Sequence, residues 1–366
     1  MQLKCSQEDL SNVVQTVQKA VSARSTLPIL TGIKLKTGDN KIILSATDLE
    51  IAIREEMPVR IISQGEAVIP ARLLGDIVRN LPKGEVGVGL DKSSGQLNIT
   101  CGQAQFDVKG FPVEDFPEFP KVKDENNFII QGKEIISAVK QVVKAASRDE
   151  TRPILTGVLF LVEDGKGTMV ATDSYRLAIR GLKFKRAPKE NVSVIIPSRA
   201  LEEFMKIISD GSKEIEVALS ENQVVFKTAS TTVISRLIEG QFPNYKQLLP
   251  QSRKTTFETE REAFVGAVKR TAILAQNTPL KLTVGGNKVR IAANTSEVGG
   301  ATEDVGGKLD GEPAEMAFNA QYLLDGIASV SDERVRLELI DPLKPGIIRP
   351  NKEKNFLYLI MPVRPG

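Results

Sequence analysis

The sequence predicts an α+β protein of three similar domains, each with two helices packed on antiparallel sheets. Three observations lead there. Motifs recur at one displacement: Pro28-Ile29-Leu30-Thr31-Gly32 returns as Pro153-Ile154-Leu155-Thr156-Gly157, and Ala46-Thr47-Asp48 as Ala171-Thr172-Asp173, each 125 residues further on. Amphipathic helical stretches recur at matching places in each repeat. The short segments at 84–89, 92–95 and 285–288 suit hairpins between antiparallel strands better than parallel crossovers.

The elements follow in order. Glu8 to Val21 places Leu10, Val13, Val14, Val17 and Val21 at helical spacing, while 41–44 and 96–101 read as strands. A second helix is expected over 72–81, just after Pro70, with Leu73, Leu74, Ile77, Val78 and Leu81 on one face. Ile69-Pro70-Ala71-Arg72 reappears as Ile196-Pro197-Ser198-Arg199, and Asp115-Phe116-Pro117 as Gln241-Phe242-Pro243. A fainter third copy runs from Phe257 to Leu274, matching Leu3 to Ala20 and Phe128 to Ala145, and Phe318-Asn319-Ala320-Gln321 fills the Ile-Pro-Ala-Arg slot. The expected domains are 1–121, 126–250 and 254–366, joined by polar linkers.

Composition restricts the chemistry. The 366 residues include no histidine, which removes Ser/His/Asp and Cys/His nucleophilic machinery and His-ligated zinc. No phosphate loop, dinucleotide fingerprint or G-x-S-x-G elbow is present. The adjacent carboxylates Glu55-Glu56, Glu202-Glu203 and Asp332-Glu333 diverge on any regular backbone and read as solvated surface. A non-enzymatic protein without metal or cofactor is expected. Cys5 and Cys101 make no disulfide framework, the opening residues lack an apolar signal segment, and no run approaches a membrane span, so the expected compartment is the cytoplasm, with no membrane partner.

A net charge of +3 does not identify a partner, so the placement of the charges matters. A helix expected over 133–148 buries Ile135, Ile136, Val139, Val142, Val143 and Ala146, leaving Lys133, Ser137, Lys140, Gln141, Lys144 and Arg148 on the other face. Arg72 and Arg79 on one second-type helix, Arg199 and Lys206 on another, and Arg24 after the first helix extend the basic bias. Several such faces suit sequence-independent contact with phosphates.

The run Ala171-Thr172-Asp173-Ser174-Tyr175-Arg176-Leu177, the segment Gln241-Phe242-Pro243-Asn244-Tyr245 and the ending Leu359-Ile360-Met361-Pro362-Val363-Arg364 resemble the bacterial DNA polymerase III beta subunits, the replicative sliding clamps. The likeness spans the whole chain. It implies processivity-fold clamp domains and a head-to-tail homodimer closed into a six-domain ring, with helices lining the hole around double-stranded DNA. Arg24, Arg72, Arg79, Lys140, Lys144, Arg148, Arg199 and Lys206 are the implied DNA-facing residues. The resemblance places Phe106 and Val108 of the first domain against Ile273 and Leu274 of a second copy's third domain. It also implies a cleft between the second and third domains for short peptides of the polymerase alpha subunit, the clamp loader, other polymerases and repair proteins. The matching positions are Leu155, Thr172, Ser174, Tyr175, Arg176, Leu177, Pro243, Leu248, Met361, Pro362, Val363 and Arg364, with Arg176 and Arg364 expected to fix polar groups of the peptide. Many relatives carry histidine where Tyr175 stands, and arginine is common where Gln247 stands, so the peptide preference does not follow from the resemblance. The alternative from the residues alone is a monomeric peptide-binding scaffold that does not encircle DNA.

Overall fold

The repeated Pro-Ile-Leu-Thr-Gly motif folds the same way twice. Proline fixes the start of a single 3-10 turn at Pro28–Thr31 and again at Pro153–Thr156. The closing threonine hydroxyl donates back to the proline carbonyl, over 2.6 Å for Thr31 and 2.7 Å for Thr156. Each glycine then opens a strand pressed against its neighbour. A Cβ on Gly32 would stand 2.7 Å from Val68 Cγ1, and one on Gly157 would run into Ile195 Cγ2. The glycine is kept for close approach, since neither has positive φ.

The computed structural model describes residues 1–22, 27–91, 94–120, 126–208, 211, 213–250, 252–275, 278–295 and 299–363. Among them are six α-helices, two per repeat: α1 Gln7–Val17, α2 Ala71–Asn80, α3 Gly132–Val142, α4 Ser198–Ile207, α5 Arg261–Ala272 and α6 Ala320–Ala328. Side-chain caps start two of them. Ser6 Oγ accepts from Asp9 N at 3.1 Å, and Asn319 Oδ1 accepts from Tyr322 N at 3.0 Å.

Two helices are shorter than their apolar periodicity suggests. α1 gives way to a 3-10 turn at Gln18–Ala20, and α3 to one at Val143–Ala145. Beyond it the Ser147 amide bonds to the distant Leu155 carbonyl at 2.8 Å, so the chain leaves the helical path and Arg148 lies off the helix. Gln141, expected on the exposed face, is 3% exposed and accepts from Arg180 Nε at 2.6 Å. Leu73, expected on the apolar face of α2, is 45% exposed.

The chain forms two compact units, Met1–Gly132 with Glu203–Leu237, and Lys133–Glu202 with Ile238–Gly366. In the first, a five-stranded sheet has the order Arg60–Ser63, Gln2–Ser6, Glu85–Asp91, Gln96–Cys101 and Ala104–Lys109. Its eight-stranded sheet runs Asn126–Gln131, Glu214–Leu219, Gln223–Lys227, Thr231–Arg236, Ile51–Pro58, Lys41–Thr47, Gly32–Thr37 and Glu66–Pro70. The second unit has one twelve-stranded sheet, in which Arg176–Leu182 pairs with Phe356–Ile360. Among the described residues all strand pairs are antiparallel, as the hairpin spacing predicted.

The middle repeat is divided between the units because both its edges are used. Its strand Thr231–Arg236 continues the sheet of the first repeat through Ile51–Pro58, while Arg176–Leu182 continues that of the third through Phe356–Ile360. Ladder hydrogen bonds across repeat boundaries satisfy strand edges that would otherwise stand open.

Candidate peptide cleft and basic helix faces

The cleft residues are organised by a turn after the strand Lys166–Thr172. Asp173 Oδ1 accepts from Tyr175 N at 2.9 Å and Arg176 N at 3.0 Å. Thr172 Oγ1 accepts from Ser174 N at 3.2 Å and donates to the Arg176 carbonyl at 2.7 Å. The turn holds Ser174 at φ 82° and directs Tyr175 outward, leaving it 59% exposed.

Arg176 is bound internally. Its Nε donates to Asp173 Oδ2 at 2.8 Å and its Nη1 to Asp325 Oδ2 at 2.6 Å, while the guanidinium lies 4.3 Å from the Tyr322 ring centroid. Burial alone would weaken the charge, but Tyr358, Asp325 and Asp173 more than offset it and raise the guanidinium pKa. Arg176, expected to fix peptide polar groups, is thus already paired with two carboxylates of its own chain through Nε and Nη1. Tyr175 stacks on Tyr322, centroids 6.4 Å apart, so the Arg176 network supports the exposed ring.

Sheet pairing brings the C-terminal strand to this turn. Leu177 lies opposite Leu359, and Met361 N donates to the Tyr175 carbonyl at 2.9 Å. Val363 N donates to Ala317 O at 2.8 Å, fixing the segment beyond. Leu155 and Leu177 are buried at 7% and 1%, with Leu177 in a core of Tyr245, Ile347, Leu357 and Leu359. Tyr175, Leu248, Met361 and Val363 remain exposed at 59%, 48%, 37% and 37%, with Ser174 and Pro243 also exposed, Pro362 half-buried and Thr172 buried. Arg364 lies outside the described residues, as does Arg24.

Beside the turn is a hollow of about 890 Å3, lined by Lys144, Arg148, Arg152, Arg176 and Arg199 together with Asp149, Asp173, Glu202, Asp325, Tyr175 and Tyr322. Sequence reasoning missed Arg152, Tyr322 and Asp325, which lie outside the conspicuous motifs. Three expected DNA-facing residues, Lys144, Arg148 and Arg199, thus open on the same hollow as Tyr175.

The other basic candidates are all solvent-exposed: Arg72 and Arg79 on α2, Lys140 on α3 and Lys206 on α4. Arg79 lies 3.8 Å from Asp76, and Lys206 lies 2.8 Å from Glu203, which partly neutralises both. Lys19, absent from the expected set, donates to the Lys206 carbonyl at 3.1 Å.

The expected dimer residues separate by exposure. Ile273 caps α5 at 67% exposed, Leu274 is half-buried, and Phe106 is 39% exposed on the edge strand Ala104–Lys109. Val108 is corrected: at 4% exposed and opposite Leu97, it belongs to the core of its own sheet.

A chain of three α+β repeats whose sheets continue across the repeat boundaries defines a clamp-type protein. Models of the DNA polymerase III beta subunit match throughout, the N-terminal domain over 1–120, the central domain over 129–244 and the C-terminal domain over 246–364. The beta sliding clamp of Staphylococcus epidermidis is 33% identical over 365 residues, covering 96% of each chain, and that of Staphylococcus aureus is 33% identical over 358 residues, covering 94% of each. Among solved structures, the Bacillus subtilis DNA polymerase sliding clamp superposes with a TM-score of 0.95 at 31% identity, with both chains fully covered. A Pseudomonas aeruginosa sliding clamp bound to griselimycin gives 0.94 at 27%, again with full coverage. The chain belongs to the DNA polymerase III beta subunit family. No described helix is long and apolar enough to cross a membrane.

Proposed function

We propose that two copies of this chain close head to tail into a ring around duplex DNA and tether the replicative polymerase there, without catalysing a reaction. The carrying observation is the ordered match of all three domains along one chain, with full-length coverage of a solved sliding clamp. The proposed domain limits are 1–121, 126–250 and 254–366, and the proposed compartment is the cytoplasm.

Retention by enclosure needs no tight grip. Exposed Arg72, Arg79, Lys140, Lys144, Arg148, Arg199 and Lys206 suit weak, screened phosphate contacts that permit sliding, and Arg24 completes the proposed set. Partner peptides from the polymerase alpha subunit, the clamp loader, other polymerases and repair proteins would dock where Tyr175, Leu248, Met361 and Val363 stand exposed, with Leu155 and Leu177 buried. Tethering raises the local concentration of the polymerase at the primer end.

The test is topological. With a clamp loader supplied, the protein should persist on nicked circular DNA and be lost when the circle is linearised. Equal retention on both forms would refute encirclement and favour a scaffold that binds without enclosing.

A further inference from the structure

The junction between the first and second repeats copies the one that builds the cleft. Ile51 lies opposite Ser235 and Ala52 opposite Ile234, as Arg176 lies opposite Ile360 and Leu177 opposite Leu359. The turn before it is also duplicated. Asp48 Oδ1 accepts from Glu50 N at 3.1 Å and Ile51 N at 2.8 Å, while Thr47 Oγ1 accepts from Leu49 N and donates to the Ile51 carbonyl, both at 2.9 Å.

Two features distinguish this copy. Leu49 occupies the place of Ser174 at φ 75°, a left-handed conformation unfavourable for a bulky residue, yet its side chain is 47% exposed. Beside it is a hollow of about 180 Å3, walled by Leu49, Pro117, Pro120 and Ile234. The Pro117–Pro120 wall is anchored, because Phe119 packs on Ala52, Ala218, Val225 and Ile234 with the Arg54 guanidinium 3.9 Å from its ring centroid. The volume falls below the roughly 300 Å3 of a small drug-sized pocket and suits one side chain.

The lining has a different charge from the larger cleft. Where that cleft carries Tyr175, Arg176 and Met361, the copy carries Glu50, Ile51 and Arg236, and Glu118 adds a second carboxylate. We propose that the hollow beside Leu49 is a second docking site for a short extended peptide, inserting one apolar side chain against Leu49 and Pro117 while Glu118 holds a neighbouring lysine or arginine. This rests on the peptide-binding reading of the larger cleft.

The test uses the full chain with isotope-labelled leucine and isoleucine methyls and two acetylated peptides, Ser-Lys-Leu-Lys-Ser and Ser-Glu-Leu-Glu-Ser. The lysine peptide should shift the Leu49 and Ile234 methyls saturably, and the glutamate peptide should bind at least tenfold more weakly. Leu49→Asn should weaken the lysine peptide at least tenfold while keeping the fold, since asparagine accepts this backbone conformation more readily. Glu118→Lys should weaken it similarly, and Tyr175→Ala should leave it unchanged. Absence of any Leu49 shift at millimolar peptide, or loss of binding in Tyr175→Ala, would overturn the proposal. The larger cleft is tested separately with Tyr175→Ala and a peptide taken from the C-terminus of the replicative polymerase, so either reading can fail alone.

Discussion

At the scale of single residues, Arg176 shows what sequence reveals and what it omits. Its charge and motif were legible, but its partner Asp325 is 149 residues away, so only folding discloses that the guanidinium is already engaged. Both ion-pair contacts are largely shielded, with side-chain exposures of 10% for Arg176 and Asp173 and 14% for Asp325. Arg176→Ala should therefore cost about 3 kcal/mol by leaving two shielded carboxylates unmatched, and Arg176→Lys should restore only part of it. Urea denaturation measures both, and an unchanged midpoint would contradict the assignment. Glu55 gives a prediction of opposite sign. Burial raises its carboxyl pKa, with Thr16, Lys19, Thr231 and Lys213 opposing the shift only partly. The folded state keeps a proton that the unfolded state has released, so the group's contribution is present below the ordinary carboxylate range and is lost as pH rises through its folded value. Glu55→Gln should stabilise the protein at neutral pH by about 0.5 kcal/mol after discounting for solvent screening, and the gain should vanish at about pH 4. Thermal unfolding at the two pH values decides it.

At the scale of elements, helical periodicity located α1, α2 and α3 and the repeat pointed to their counterparts, but neither says where a helix stops. α3 tightens into a 3-10 turn after Val142, and Leu155 then takes the Ser147 amide, a tertiary contact that an apolar period cannot encode. Gln141 shares a polar face by spacing alone, yet the nearly buried Arg180, at 3% side-chain exposure, draws it inward. Lys140 and Lys144 remain outside, and their proposed role has a quantitative signature. If both contact phosphates, replacing both by alanine should flatten the slope of log affinity against log salt by about 1.8 on duplex DNA, near 0.9 per contact. An unchanged slope would remove them from the DNA face. Packing of α6 gives a second test at this scale. A Cβ on Gly326 would meet the Tyr358 ring at 2.6 Å, so Gly326→Ala should destabilise by about 1–3 kcal/mol by calorimetry, disturbing the helix that carries Tyr322.

At the scale of the whole molecule, the repeat was legible in the first two copies because their shared motifs encode local constraints, a 3-10 turn, a glycine at a crowded strand start and an aspartate-capped turn, while the third was legible only from its strand-helix pattern. That the middle repeat lends one edge to each neighbour was not legible, since strand alternation does not say which chain segment lies alongside. The same limit explains Val108. It stands two residues from Phe106 on the same face of one strand and matches an expected contact, yet it is 4% exposed whereas Phe106 is 39% exposed. The proposed dimer can therefore be tested with a built-in control. The unmodified protein should have a mass near twice 39.9 kDa by light scattering. Ile273→Asp places a charge on a side chain that is 67% exposed, at the end of α5, so it should yield folded chains of single mass with little change in thermal midpoint. Val108→Asp buries the charge in the five-stranded sheet and should lower the midpoint strongly, whatever happens to the mass. A dimer that survives Ile273→Asp would detach the interface from this helix end, and a stable monomer in the unmodified protein would remove the geometric basis for enclosing DNA.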